Sequence, residues 1–392
     1  MTIEGRLIVT VPIVSYCHND AFVPYDEQKC AHLKSIWGFL KMHYESSSLI
    51  MALYFANQSC DPFLARDAPC RIRTHVQYTV NATNFFDIQK TIMFSKEHNI
   101  RLVIRNTGHD YLRKSTGPGT LGIWTHHFKD IEVINYSSRY YMGKAIKIGA
   151  GVQMFKINKI MHAHNLGDYE QLASIFGLAA DQILEFEILT ASQSLNEDLY
   201  WTFAGGGGGT LSIVLSMTSK AHPELRTAVA NLTFTNAGIS QDTFFNAAKI
   251  FIIGLGLILD ASKTSIWLLI ESMFTITPIT IPGGSKNQLQ KLIDPILQTL
   301  KRDNVTYTMN PIFNITEAQL GGRLILQSLL DSSPGVIINV FQNILILKNT
   351  ALLSRVSVNI SRQADLITNK LLSKLERIML GGGVYLNEAD SA

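Results

Sequence analysis

The chain has 392 residues, 46% of them hydrophobic and 17% charged, with a formal net charge of +3. That length suits two domains and a large core. With no basic run interleaved with aromatics, the charge gives no argument for nucleic acid, and the longest apolar stretch, Ile250–Leu259, is too short to span a bilayer.

The N-terminus, MTIEGRLIVTVP, lacks the basic n-region and long apolar h-region of a signal peptide. All four cysteines, Cys17, Cys30, Cys60 and Cys70, lie in the first seventy residues without C-x-x-C spacing. They read as disulfides, taken as Cys17–Cys30 and Cys60–Cys70, or as free buried thiols; sequence does not fix the connectivity. N-x-[ST] sequons occur at Asn57, Asn81, Asn135, Asn231, Asn304, Asn314 and Asn359, each a weak signal of glycosylation in the secretory pathway.

Val76, Tyr78 and Val80 alternate as in a strand. A helix follows, capped by Thr83 or Asn84, with Phe85, Ile88 and Ile92 on one face. The apolar run Leu102-Val103-Ile104 reads as a buried strand ending in the turn Asn106-Thr107-Gly108, with His109 next. Glycine there lets the backbone approach a bound group, and histidine meets such a group as donor, base or nucleophile. By itself Gly-His-Asp is a weak signal and more often a structural turn. Leu121–Thr125 and Ala145–Gly151 read as strands, and Met154, Ile157 and Met161 mark a helix. Leu184, Phe186 and Ile188 alternate with Glu185 and Glu187, which suggests a strand with a solvated face. A short helix or turn at Asn196–Phe203 precedes five glycines, Gly205–Gly209, and an apolar strand, Leu211–Met217. The glycine run is either a flexible linker or a place of close packing. No G-x-G-x-x-G and no G-x-x-x-x-G-K-[ST] is present, so a nicotinamide or nucleoside-triphosphate site has no motif behind it. His162 and His164 are two apart on a helix and face different ways, and His126 and His127 read as structural. Further on, Leu289, Leu292, Ile293, Ile296 and Leu300 form an amphipathic helix with Pro295 inside it. Phe251–Leu259 and Ile266–Ile281 are unusually apolar, and a last helix is expected over about 361–380.

RLVIRNTGHDYLRKST, GIWTHHFKDIEVINY, KIGAGVQ, GLAADQILEFEILTA and DLYWTFAGGGGGTLSIVLSMTSKAHPE, in that order, resemble the FAD-binding domain of the berberine-bridge-enzyme-like oxidoreductases, PCMH-type members of the vanillyl-alcohol-oxidase superfamily. The likeness covers most of residues 5–225 and is nearest to fungal members of secondary metabolism, alkaloid biosynthesis among them. It implies an α+β fold: a two-subdomain PCMH-type FAD-binding domain over residues 71–223, with 1–70 as its N-terminal part. An α/β substrate domain with an antiparallel sheet and helices would follow over 224–392. It also implies a small-molecule substrate oxidised by hydride transfer to FAD, with molecular oxygen as acceptor. His109 would be the covalent FAD attachment. Arg105, Asn106, Thr107, Gly108 and Asp110 would lie along the cofactor's pyrophosphate. Gly149, Ala150, Gly151 and Val152 would form a second lining loop. Ile188 would lie near the adenosine, and Gly205, Gly206 and Gly207 near the flavin.

Two departures stand out. The interval His164–Phe176 lacks the family's Gly-rich segment and its second anchoring cysteine, and Gly381–Asp390 resembles only the start of the C-terminal cover. The expectation is therefore an FAD-linked oxidoreductase, apparently truncated and weak as a catalyst. A non-catalytic remnant or a flavin-free binding protein is the alternative. Relatives carry a secretory leader, which leaves the compartment open; substrate, catalytic base and oligomeric state are not legible.

Overall fold

The computed structural model describes residues 5–311 apart from 20–21, 38, 50–59, 73, 109–113, 168–172, 191–196, 207–208, 210, 226 and 261–263. They form two compact units. One takes the described residues up to 167 together with Ala179–Pro223, and the other takes those of 173–178 and 224–311. The expected helix near 361–380 and the Gly381–Asp390 stretch lie outside the described residues.

The first unit opens with strand β1 (Leu7–Val9) and helices α1 (Glu27–Ile36) and α2 (Leu40–Tyr44). The Asp26 carboxylate caps α1 by accepting the Lys29 N–H at 3.0 Å. Cys17 is bonded to Cys30 and Cys60 to Cys70, the pairing read from the sequence; no thiol is free. The four half-cystines pack with Val14 and Leu33 into a small buried core.

Next come β2 (Tyr78–Asn81), α3 (Phe85–Glu97), β3 (Leu102–Arg105) and β4 (Leu121–Trp124). The sheet order is β1-β2-β4-β3, with β1 antiparallel to β2 and the other three strands parallel. Asn84 is the cap of α3: its side chain accepts the Asp87 N–H at 3.0 Å. Ile88 and Ile123 are fully buried, and with Leu189, Ile213 and Leu215 they make the core beneath the parallel strands. Asp87 is buried; it accepts the Thr83 N–H at 3.0 Å and pairs with Arg6. Burial pushes the Asp87 carboxyl up, but the Thr83 N–H and the Arg6 guanidinium outweigh that and hold it below the ordinary value.

A second sheet follows. Its elements are β5 (Ile131–Ser137), β6 (Met142–Gly149), α4 (Met154–Ala163), a short β7 (Leu166–Gly167), α5 (Ala173–Phe176, in the other unit), α6 (Ala179–Gln182), β8 (Ile183–Leu189), α7 (Glu197–Gly206), β9 (Ile213–Lys220) and β10 (His222–Pro223). The order β5-β6-β9-β8 is antiparallel throughout, and β10 pairs with β7. Ile146 and Ile148 pack against Ile157 and Met161 of α4. Glu185 and Glu187 are exposed, and Glu187 pairs with Lys147 at 3.3 Å, so the alternation marks a solvated face. His162 and His164 are both exposed.

The second unit is a sheet of β11 (Thr227–Thr235), β12 (Thr264–Ile270), β13 (Met273–Pro282) and β14 (Tyr307–Pro311), packed by α8 (Gln241–Asp260) and α9 (Lys286–Arg302). The order β12-β13-β11-β14 is antiparallel. The apolar stretches of the sequence are its core: Phe251 and Ile252 of α8 and Phe274, Ile276 and Ile279 of β13 are buried together. Ser285 and Gln288 form a capping box that starts α9. That helix continues through Pro295, with Leu289, Ile293, Ile296 and Leu300 buried.

Two measurements test these contacts. Replacing Cys17 and Cys30 together by serine should lower the unfolding free energy by about 3 kcal/mol, the effect of opening a short cross-linked loop; an unchanged denaturant midpoint would contradict it. Asp87 has a depressed folded pKa, so its stabilisation is full above the unfolded value of about 4 and is lost as pH falls through the folded one. The wild type should therefore lose stability more steeply below pH 4 than Asp87→Asn.

Candidate functional site at the ends of the parallel strands

Parallel strands present their loops to ligands at their carboxyl ends. Here those loops are 106–108 after β3 and 125–130 after β4, and the 149–152 loop after β6 joins them. Asn106 donates its side-chain amide to the Ala150 carbonyl, and the Trp124 indole N–H donates to the Asn106 carbonyl at 3.0 Å. The Thr125 N–H donates to the Arg105 carbonyl at 2.8 Å.

Gly108 has φ +74°, and a Cβ there would strike the Arg105 guanidinium, so glycine is required on both counts. Among the described residues, no acceptor lies on the backbone N–H groups of Asn106, Thr107 or Gly108. Three successive free donors ending in a left-handed residue are the makings of an anion nest. The Arg105 side chain does something else. It is 1% exposed, and its guanidinium donates to the carbonyls of Ser46 (3.1 Å), His43 (3.2 Å) and Leu49. The side chain thus supports the loop from beneath, and the expectation for Arg105–Gly108 concerns their backbone.

The 149–152 loop is held by its own backbone. Gly149 donates to Asp130 (2.8 Å), Ala150 to Leu215 (2.8 Å), Gly151 to Phe128 (2.9 Å) and Val152 to Gly149 (3.0 Å). A Cβ on Gly149 would meet the Phe128 carbonyl and one on Gly151 the His126 carbonyl. These glycines serve the close approach of two chain segments, so the loop offers a ligand shape rather than N–H donors. Ile188 is half-buried in β8. Gly205 and Gly206 end α7, and Gly209 lies against Ile104 of β3, so the glycine run is in part helical and packed rather than a free linker. His109, Asp110 and Gly207 lie outside the described residues.

A cavity of about 590 Å³ opens beside these loops, lined by Tyr44, Trp124, His126, Lys129, Phe155 and Lys156, with Lys41 and Glu45 at its edge. His126 is 5% exposed, stacked on Trp124 with ring centroids 5.6 Å apart. Burial, and then the charges of Lys129 and other cations, push its pKa down to about 4, so it is neutral at physiological pH. Lys129 donates to the Gly151 carbonyl and meets His126 Nε2 at 3.2 Å. Burial and the Lys156 charge push it down to about 8. His126 and His127 read as structural in the sequence, and Lys129 and Lys156 went unnoticed. The legible trace was the dense W-T-H-H-F-K segment directly after a buried strand.

Residues 76–175 match the FAD binding domain family. The chain is 38% identical to the FAD-linked oxidoreductase sor8 of Hypocrea jecorina over 467 aligned positions, covering 99% of this chain and 80% of that protein. That span exceeds the 392 residues here, so the relative carries internal residues without a counterpart. It is 33% identical to the FAD-linked oxidoreductase ZEB1 of Gibberella zeae, covering 99% of this chain and 82% of that protein. Among solved structures, the VAO-type flavoprotein MtVAO615 from Myceliophthora thermophila C1 superposes with a TM-score of 0.86 at 29% identity, covering 98% of this chain and 86% of that one. The Physcomitrella patens BBE-like 1 protein shares the fold, with a TM-score of 0.59 at 16% identity over 90% of this chain and 91% of that one. Sequence and fold agree, and the chain belongs to the fungal FAD-linked oxidoreductases of the vanillyl-alcohol-oxidase type.

Proposed function

We propose that this chain oxidises a small organic molecule of fungal secondary metabolism, with FAD held over the 106–108 loop and joined to His109. The proposal rests above all on the N–H groups of Asn106, Thr107 and Gly108, which have no acceptor among the described residues. The donor set suits FAD: that nest fits a diphosphate oxygen, and the adjoining cavity carries Lys129 and Lys156, for which no carboxylate partner exists among the described residues. When bound, FAD supplies a two-electron acceptor that takes hydride from substrate carbon and passes the electrons to molecular oxygen.

The chain's own residues supply position. The 71–223 segment is the proposed FAD domain, with 1–70 packed as its N-terminal part and 224–392 as the substrate domain. Gly108 brings the backbone close to the anion, and Arg105 holds that loop rigid by tying it to residues 43–49. The His109 imidazole would hold the cofactor covalently through the flavin's 8α carbon, giving up its ring proton to do so, and the bound flavin would supply the oxidising chemistry.

An alkaloid is one substrate class to try; the wider proposal is an oxidisable secondary metabolite with a C–H bond activated by a neighbouring heteroatom or ring. A second reading, a flavin-loaded protein of low turnover, is favoured by the internal residues that the Hypocrea relative carries and this chain lacks. Oxygen consumption on a panel of alcohols and amines, normalised to flavin content, separates the two.

Denatured protein should keep its yellow flavin, and His109→Ala should release it on denaturation. Peptide mapping should find one flavin adduct, at His109, and none at cysteine, because all four cysteines are in disulfides. Covalent flavin retained in the alanine variant, or found on a cysteine peptide, would defeat the assignment.

A further inference from the structure

We infer that Lys129 is the cation that neutralises the cofactor's diphosphate, and that it is a determinant of choice between FAD and flavins without a diphosphate. This rests on the FAD reading above and names the side chain that acts there.

The geometry comes from one short loop. Asn106, at the start of the free N–H groups, donates its side-chain amide to the Ala150 carbonyl; Lys129 donates to the next carbonyl along, that of Gly151. The two donors therefore sit on neighbouring peptide units, so the ammonium rests on the same loop that holds Asn106. Lys129 also lines the cavity. Of its three N–H bonds, one goes to Gly151 and one meets His126, which leaves a donor for a ligand.

The charge pattern points the same way. Among the described residues no carboxylate pairs with Lys129 or with its neighbour Lys156. Glu45, the single carboxylate lining the cavity, lies 3.7 Å from Lys41. Lys129 is half-buried with the exposed Lys156 as a like charge nearby, and a half-buried cation without a counter-ion is costly unless an anion joins it. His126 adds no charge of its own. It is stacked on Trp124 and lies 5.5 Å from the Tyr44 ring, a fixed neutral partner that positions the ammonium. Arg105, the cation at the start of the loop, has its guanidinium on three backbone carbonyls and does not line the cavity.

The test uses the full chain with His109→Ala, so that flavin binding is reversible. Binding of FAD and of riboflavin, which has no phosphate, is read from flavin fluorescence, with ADP as competitor. Adding Lys129→Met should weaken FAD about 10- to 100-fold, the usual worth of one charge-assisted hydrogen bond. It should leave riboflavin unchanged and flatten the salt dependence of FAD binding. Lys129→Arg should bind FAD within a few-fold of the parent. Equal loss of FAD and riboflavin would mean a merely structural role and overturn the inference, as would unchanged FAD affinity. Unchanged FAD affinity with lost turnover on acidic substrates alone would assign the cavity to substrate instead. A parent that binds neither flavin would overturn the FAD reading itself, and this inference with it.

Discussion

The first unit depends on one buried cation. Arg105 ends β3 with its guanidinium out of water, gripping carbonyls of His43, Ser46 and Leu49. A buried charge of this kind is tolerable only when its donors are met. Here Nε and Nη2 are met by backbone from a segment some sixty residues earlier in the chain. The contact fixes the N-terminal region to the parallel sheet, and it also fills the space under Gly108. A side chain at 108 has nowhere to go, so the left-handed turn follows from packing beneath the loop.

Above that layer the electrostatics change character. Arg105 meets neutral carbonyls, whereas Lys129 and Lys156 face a cavity in which aromatic side chains alternate with charged and polar ones. Keeping His126 neutral limits the positive potential to the lysines. The site thus divides its labour: Arg105 builds the loop, and Lys129 and Lys156 are left for the ligand.

Much of this architecture was legible because it is local. Asn84 as a cap, the alternation in β8 and the amphipathic face of α9 need only neighbouring residues to be recognised. The motif order gave the fold class, since a strand–turn–histidine unit followed by G-A-G and a glycine run is specific as a set. What stayed hidden is non-local. Nothing near Arg105 in sequence announces that residues 43–49 will supply its acceptors, and a lysine in an ordinary K-D pair gives no sign that its ammonium will lie on the carbonyl of Gly151. The glycines of the 149–152 loop carried a true signal with a different cause: they are small because the 125–130 backbone passes against them. The apolar runs of the second unit, odd when seen as sequence, are an aromatic and aliphatic core shared by α8 and β13.

The pairing of all four cysteines has a meaning beyond stability. With oxygen as the acceptor, as proposed, each cycle would release peroxide beside the protein, and thiolates are the side chains that peroxide attacks first, climbing from sulfenic to irreversible sulfinic acid. A chain of 392 residues with no free thiol offers no such target. Its methionines are left as the oxidisable sulfur, and of these Met161 is shielded in the core of α4 while Met93 and Met142 stand exposed. Wear under turnover would then begin at the surface, where sulfoxide disturbs little packing, and reach the interior last.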